Sequence, residues 1–171
     1  MQILKADVLI IGGGVGGLSA ALALGNKRIL VLTKSSFGAG GSTPLAQGGI
    51  AVAMGKDDHP QLHAADTLVA GDGLSAAAVV DVLTTEGPER VRELLAIGAQ
   101  FDRATNGELM LGREAAHSRR RILHARGDST GAEIERALVA AVIERENIQI
   151  IDNCYVSDLL LHEGALIGAQ G

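Results

Sequence analysis

The fold is decided by the stretch Asp7-Val8-Leu9-Ile10-Ile11-Gly12-Gly13-Gly14-Val15-Gly16-Gly17, close to the start of the chain. A short apolar run leads into G-x-G-x-x-G and then into a helical pattern over 18–24, which predicts a strand, a tight turn and a helix. Gly12 permits the turn, Gly14 lets the backbone approach a pyrophosphate, and Gly17 lets the helix pack on its strand. The motif therefore predicts dinucleotide binding at a helix N-terminus, and a glycine turn that binds nothing fits this context less well.

Composition sets the class of protein. The chain has 171 residues, 47% of them hydrophobic, 2% aromatic and 23 of them glycine, which indicates one globular α/β domain packed by aliphatic side chains. A net charge of -5 and few aromatic rings exclude nucleic acid as an expected partner. The single cysteine, Cys154, is expected to be a small buried residue and fits a reducing compartment. The N-terminal apolar run is too short for a signal peptide or a membrane span, so we expect a cytoplasmic protein without a membrane partner.

The apolar patterns predict the remaining elements. We expect a strand over 7–11, a helix over 14–24 and a strand over 29–32, which make a βαβ unit with a parallel sheet. Further predictions are a ligand-contacting loop over 33–49, an extended segment over 50–53, helices over 60–69, 76–83, 88–97 and 130–144, short strands near 101 and 109–110, a strand over 148–151, and a hairpin of 155–161 with 165–169. The last helix is expected to begin with a capping box of Thr130 and Glu133. The predicted architecture is Rossmann-like α/β, with a parallel central sheet, flanking helices and a C-terminal β-hairpin.

The residues after the second strand leave the dinucleotide open. NAD-binding fingerprints place an acidic residue about 20 residues beyond the glycines, where it bonds the ribose hydroxyls. This chain has Thr33 and Lys34 at the end of the second strand. A lysine there suits NADP or contacts FAD through its backbone and stem, so FAD and NADP both remain open from these residues.

The loop that follows carries a specific resemblance. Its residues are Ser42, Thr43, Pro44, Leu45, Ala46, Gln47, Gly48 and Gly49. The segment resembles the flavoprotein superfamily of fumarate reductase, succinate dehydrogenase and L-aspartate oxidase, in which S-x-x-x-A-Q-G-G lies against the flavin. The resemblance implies FAD as cofactor, with all eight residues in its site. In the respiratory members a histidine at the position of Ser42 carries the flavin covalently; since a serine hydroxyl cannot, the resemblance implies noncovalent FAD and favours the aspartate oxidases.

The segment from Arg113 to Ala125 is similar to the R-E-x-x-H-S-x-R-R-I-L-H-A stretch of L-aspartate oxidases. By that pattern Glu114 orients the amino-acid substrate, because a carboxylate is a natural partner for an ammonium group. Arg119 falls at a variable position and is expected to be solvated, while Arg120 and Arg121 match the pattern. For His117 and His124, the sequence does not distinguish between a structural role and contact with a ligand.

A second histidine pair suggests zinc only weakly. His59 and His63 are four residues apart, but no H-E-x-x-H motif is present, so we expect a solvent-facing helix and no metal.

The resemblance extends over most of the chain and implies FAD-dependent oxidation of L-aspartate to iminoaspartate, the first step of NAD biosynthesis, with oxygen or fumarate reoxidising the flavin. It also implies that the backbone near Val156 lies beside the adenine. The family's catalytic arginine lies beyond residue 171, so residues 1–171 are expected to be the N-terminal part of the FAD-binding domain of a larger protein, inactive alone. The alternatives are a fumarate reductase or succinate dehydrogenase flavoprotein, against which Ser42 counts, and a non-catalytic NADP or dinucleotide-binding module.

Overall fold

A computed structural model describes residues 3–114 and 116–171. The described part of the chain divides into two compact units: residues 3–45 with 134–171 form the first unit, and the described residues of 46–133 form the second. In chain order the described elements are β1 (Val8–Ile11), α1 (Val15–Ala23), β2 (Ile29–Leu32), β3 (Ile50–Ala51), α2 (Pro60–Ala70), α3 (Ala77–Ala96), β4 (Leu111–Gly112), β5 (Ile122–Leu123), α4 (Thr130–Ile143), β6 (Ile148–Ile151), β7 (Asp158–His162) and β8 (Ala165–Gln170). A single turn of 3-10 helix spans Thr43–Leu45.

The first unit is built on a parallel sheet with strand order β1-β2-β6. Val8 pairs with Ile29, and Ile29 pairs in turn with Ile148. All four residues of the central strand β2 are buried, which is why that strand reads as a continuous aliphatic run. The predicted βαβ unit and the predicted strand over 148–151 are both confirmed.

The hairpin of the first unit is also confirmed. Strands β7 and β8 pair antiparallel around Glu163 and Gly164, with a register shift between Leu160 and Leu161. Every residue of β7 is exposed, including Leu159.

The second unit contains a small antiparallel sheet in the order β3-β5-β4 and the helices α2 and α3. Ile122 and Leu123 of the central strand β5 are buried. Strand β3 lies within the predicted extended segment over 50–53, and β4 begins one residue beyond the strand predicted near 109–110. Within 3–114 and 116–171, none of the helices has the length and apolar character needed to cross a membrane.

Helix α3 corrects one prediction. The sequence predicted two helices, over 76–83 and 88–97, whereas the structure has one helix of 20 residues with Pro88 in its interior. Val80, Thr84, Pro88 and Val91 are buried, at spacings that place them on one helical stripe. The helix continues through the proline because burial of this stripe offsets the lost backbone hydrogen bond.

Helix α4 begins at Thr130, as predicted, and ends at Ile143. The capping-box side chains form bonds to other segments. The Thr130 hydroxyl donates to the Gly48 carbonyl oxygen at 2.5 Å, and the Glu133 carboxylate accepts from the Gln100 amide at 2.7 Å. Both residues therefore connect the start of the helix to distant parts of the second unit.

Candidate functional site

A groove of about 370 Å³ opens in the first unit where β1 and β2 end. Its lining includes these residues predicted to bind the cofactor: Gly12, Gly13, Gly14, Lys34, Ser42, Thr43 and Val156. Ligands of open parallel sheets bind in the crevice beyond the carboxyl ends of the strands. The structure therefore brings the glycine turn, the start of the predicted flavin loop and the predicted adenine-side residue into one groove.

Five other residues of the predicted cofactor set belong to the first unit outside the lining of this groove, namely Val15, Gly16, Gly17, Pro44 and Leu45. A Cβ at position 17 would overlap the carbonyl oxygen of Gly12 and approach the Ile10 side chain to 3.2 Å. Gly17 therefore serves the close contact between α1 and β1, which is the packing role its place in the motif predicts.

The turn before α1 supplies hydrogen-bond donors. Gly12 has φ +110°, a backbone conformation that favours glycine. The Val15 amide donates to the Thr43 hydroxyl at 3.1 Å, which ties the predicted flavin loop to the first turn of the helix. The first four amides of a helix lack partners within it and carry partial positive charge, which suits an anionic phosphate. A Cβ at Gly14 would lie 3.1 Å from that hydroxyl, so the glycine lets Thr43 approach the turn closely.

Among the groove residues, Cys154 and Tyr155 were missed from the sequence. Ser35 and Ser36 also line the groove beside Lys34, and both belong to the predicted ligand-contacting loop over 33–49. Cys154 was expected to be a small buried residue, but it is only half-buried, and its amide donates to the Thr33 carbonyl oxygen at 2.9 Å. Cys154 is exposed to this extent because the segment after β6 runs along the end of β2. Since Val156 was predicted to lie beside the adenine, its neighbours Tyr155 and Cys154 could have been predicted to line the groove as well.

Glu135 on α4 is a buried acid behind the flavin loop. The residue is 3% exposed, and neither carboxyl oxygen has a hydrogen bond of standard geometry among the described residues. Burial raises the pKa of Glu135 above its ordinary value of 4.5, and the nearby Thr43 hydroxyl opposes that rise only in part. Burial therefore makes ionisation of this acid harder than for an exposed glutamate, next to a loop predicted to contact an anionic cofactor.

The rest of the predicted flavin loop, Ala46 to Gly49, belongs to the second unit. The Gly48 amide donates to the Asp128 carboxylate, and the Gly131 amide donates to the Ala46 carbonyl oxygen at 3.1 Å. The loop is thus fixed to the start of α4. Asp128 had no predicted role, although it lies two residues before the predicted start of this helix.

A second cavity, of about 340 Å³, lies within the second unit. It is lined by Asp102, Met110, Leu111, Gly112, Arg120, His124 and Gly127. His124 Nε2 lies 2.9 Å from Oε1 of Glu114, whose side chain is 55% exposed. The residue predicted to orient the substrate is therefore held by a histidine that lines this cavity, while Arg120 adds a positive charge to it.

The three consecutive arginines have different environments. Arg119 is partly exposed and its guanidinium lies 3.6 Å from Asp57, in agreement with its predicted solvated position. Arg121 is completely buried and pairs with Asp58 and Asp66, each at 2.8 Å. Asp66 also accepts bonds from the amide and hydroxyl of Ser118. Arg121 thus anchors its segment from inside the unit.

The prediction that His59 and His63 lie on a solvent-facing helix is wrong for His63. His63 is 5% exposed, and its ring lies 5.6 Å from that of His117, centroid to centroid. Burial, followed by the charge of Arg121, lowers the pKa of His63 below its ordinary value of 6.5. Among residues 3–114 and 116–171, no group of three potential metal-ligating side chains comes together.

The family model described as FAD binding domain matches residues 7–171. This chain belongs to the FAD-binding domain family. FAD is the cofactor of this family, and a glycine turn at a helix N-terminus is the kind of site that suits a pyrophosphate.

Relatives of this chain include L-aspartate oxidases, the family that its sequence motifs resemble. L-Aspartate oxidase of Streptomyces coelicolor is 52% identical over 159 residues, which are 92% of this chain and 27% of that protein. The chloroplastic L-aspartate oxidase of Arabidopsis thaliana is 41% identical over 160 residues, covering 94% of this chain and 24% of that protein. The chain thus spans about a quarter of the length of each.

Solved flavoprotein structures share the fold. Mycobacterium smegmatis Sdh1 in complex with UQ1 matches with a TM-score of 0.90 and 32% identity, over 99% of this chain and 31% of that chain. E. coli quinol fumarate reductase FrdA matches with a TM-score of 0.91 and 28% identity, over 99% of this chain and 29% of that chain. The predicted Rossmann-like FAD-binding fold and the predicted superfamily are therefore confirmed.

Proposed function

We propose that the full-length protein oxidises L-aspartate to iminoaspartate with noncovalently bound FAD, as the first step of NAD biosynthesis. The relatives that match this chain over most of its length carry the name L-aspartate oxidase, which supports the proposal. Oxygen or fumarate is the proposed electron acceptor. The known structures of the same fold include a fumarate reductase, which is consistent with fumarate in that role.

The observation that carries the proposal is the carboxylate of Glu114, which is exposed enough to meet a ligand and is held by His124 at 2.9 Å. Aspartate and succinate are both dicarboxylates, but only aspartate has an ammonium group. A fixed carboxylate attracts that ammonium group and repels a substrate that carries negative charge alone. Glu114 therefore favours aspartate over succinate.

The proposed roles of this chain are binding, orientation and charge. We propose that FAD contacts Gly12 to Gly17, Lys34, the loop from Ser42 to Gly49, and the backbone at Val156. The glycine turn receives the pyrophosphate, and Ser42 provides a hydroxyl without a covalent link. FAD held by these residues would supply the two-electron oxidising chemistry, which belongs to the cofactor, while this chain supplies the binding site. Glu114 holds the ammonium group, which must lose a proton as the imine forms.

The resemblance assigns the catalytic arginine to sequence beyond residue 171. We therefore propose that residues 1–171 are inactive as an isolated piece, and that oxidation of aspartate requires the full-length protein. The single cysteine is consistent with a cytoplasmic site of action, which cell fractionation with an antibody to the protein tests.

Absorption spectroscopy tests the cofactor. The purified full-length protein is expected to be yellow, and acid precipitation is expected to leave the flavin in the supernatant, because no covalent link forms at Ser42. A colourless protein that binds NADP but not FAD contradicts the proposal and supports the alternative for which Lys34 is the best argument. Flavin that stays with the precipitate contradicts the noncovalent site.

Turnover tests the substrate. The full-length protein is expected to reduce its flavin with L-aspartate and not with succinate, and reduction by succinate alone supports the succinate dehydrogenase alternative. Glu114→Gln is expected to lower kcat/KM for aspartate by about 10- to 100-fold, the usual worth of a hydrogen bond to a charged group, with flavin retained. Glu89→Gln, on the exposed face of α3, is the matched control.

A further inference from the structure

The ring of His124 lies between two glycines of neighbouring strand segments. A Cβ at Gly49, which directly precedes β3, would overlap the Ile122 side chain and the Leu123 carbonyl oxygen, and would lie 3.0 Å from Nε2 of His124. A Cβ at Gly112 of β4 would lie 3.2 Å from Cε1 of the same ring. Contacts this short are tighter than side-chain packing normally allows. The absence of a side chain at position 49 therefore accommodates Ile122 and Leu123 first, and at both positions it also leaves space for the imidazole.

The backbone around His124 is also fixed. Its carbonyl oxygen accepts a bond from the Asp102 amide at 2.8 Å, and Leu123, the preceding residue, pairs with Ile50 of β3 and Leu111 of β4. The imidazole side chain is 26% exposed, compared with 55% for its partner Glu114. The histidine is therefore the more buried member of the pair, and Glu114 is the member exposed enough to meet a ligand.

The pair of His124 and Glu114 lies where two segments of the second unit meet. Gly49 is the last residue of the predicted flavin loop, and Glu114 belongs to the stretch that resembles the substrate side of the flavin. His124 approaches both of them and lines the cavity that also contains Arg120. A side chain in this place fixes the direction of the Glu114 carboxylate relative to the flavin loop.

We propose that His124 is a positioning residue that holds the Glu114 carboxylate for the ammonium group of an amino-acid substrate. The inference rests on the proposed function, since it takes Glu114 as the group that meets that ammonium. A long acidic side chain at the surface samples several rotamers, and a hydrogen bond from Nε2 to one carboxyl oxygen selects among them. The second oxygen then remains for the substrate. His124 acts through Glu114 and itself transfers no atom.

The test uses steady-state kinetics of the full-length, flavin-loaded protein. His124→Leu removes the donor and is expected to raise KM for aspartate about fivefold, with a smaller change in kcat and unchanged flavin content. His124→Gln carries an amide N–H at a reach similar to Nε2 and is expected to restore most of the lost affinity. His124→Asn is too short to reach Glu114, so it is expected to behave like the leucine variant and replaces it if that variant does not fold.

A double-mutant cycle separates positioning from general structural support. In the Glu114→Gln background, His124→Leu or His124→Asn is expected to change KM by much less than in the wild-type background, because the group it positions is gone. His162→Leu, at an exposed position of β7, is the matched control and leaves KM unchanged. An equal increase in KM in both backgrounds overturns the inference, as does failure of His124→Gln to improve on His124→Asn.

The two proposals fail in different ways. Wild-type protein that retains FAD but does not oxidise aspartate overturns the proposed function and, with it, the substrate role of the pair. Wild-type protein that oxidises aspartate while the cycle shows no coupling between the two positions overturns only the role of His124.

Discussion

Arg121 and Asp58 form a two-pronged ion pair in which both side chains are completely buried, with Nε–Oδ2 and Nη2–Oδ1 distances of 2.9 and 2.8 Å. The second Nη of the same guanidinium lies 2.8 Å from Asp66, which in turn binds Ser118. Buried charges are costly without partners, and here each charge has one. The pair connects the segment that carries Glu114 to Asp58, which lies 63 residues before Arg121 in the sequence.

Arg121→Met is expected to lower the free energy of unfolding by about 3–5 kcal/mol, because it leaves Asp58 charged and unpaired in the interior. Urea unfolding followed by circular dichroism measures the loss. Arg119→Met, at the partly exposed neighbour, is the control and is expected to cost less than about 1 kcal/mol. Combining Arg121→Met with Asp58→Leu is expected to cost less than the sum of the single changes, and strict additivity contradicts a direct pairing.

His63 is expected to make the protein sensitive to mild acid. Its pKa is lowered by burial and by Arg121, so the unfolded chain binds a proton more readily than the folded one. The stability that comes from neutral His63 is complete above 6.5 and is lost as the pH falls through its lowered folded-state pKa. His63→Gln is expected to reduce this loss, as measured by Tm between about pH 5 and about pH 8. His162→Gln, on the exposed hairpin, should leave the dependence as it is.

Glu135 is expected to show the opposite dependence on pH. Because its pKa is raised by burial, the folded protein holds the proton more tightly than the unfolded chain. The resulting stabilisation is complete below 4.5 and is lost as the pH rises through the raised folded-state pKa. The Tm of Glu135→Gln, compared with that of wild type, should therefore increase as the pH is raised from about 4 to about 7. Glu144→Gln, just past the end of the same helix, is the control, and an equal gain in both variants argues against the buried acid.

Gly17 and Gly16 are expected to differ sharply. Gly17→Ala places a Cβ against the Gly12 carbonyl oxygen, whereas a Cβ at Gly16 meets nothing within 4 Å. Gly17→Ala should lower Tm and flavin content together, because α1 must move away from β1. Gly16→Ala should raise the stability of the flavin-free protein by about 0.5–1 kcal/mol through helix propensity. Equal effects on the two proteins would contradict the close contact at Gly17.

Local patterns predicted the parts of the fold that local physics determines. The βαβ unit, helix α4, β6 and the hairpin follow from apolar periodicity and glycine turns within short windows. The two helices predicted around Pro88 were wrong because the proline was interpreted as a first-turn residue, and burial of the stripe from Val80 to Val91 is a tertiary effect.

The candidate site was predictable only in part, for the same reason. The glycine turn and the flavin loop have sequence signatures, and the groove contains much of both. The burial of His63 and Arg121 depends on partners far along the chain, which are His117 for His63 and Asp58 for Arg121. Cys154 was misjudged because its exposure depends on how the chain leaves β6.

The first unit is made of two sequence segments, with all of residues 46–133 between them. Strand β2 cannot pair with its neighbour β6 until the ribosome has added the intervening residues, and until then the edge of β2 that faces β6 stays unpaired. Pairing across so long an interval is slow, because closing a large loop costs chain entropy before any contact is gained. Folding of the FAD groove is thus expected to be a late step in synthesis, and the aliphatic run Ile29 to Leu32 is the segment most in need of chaperone protection until then.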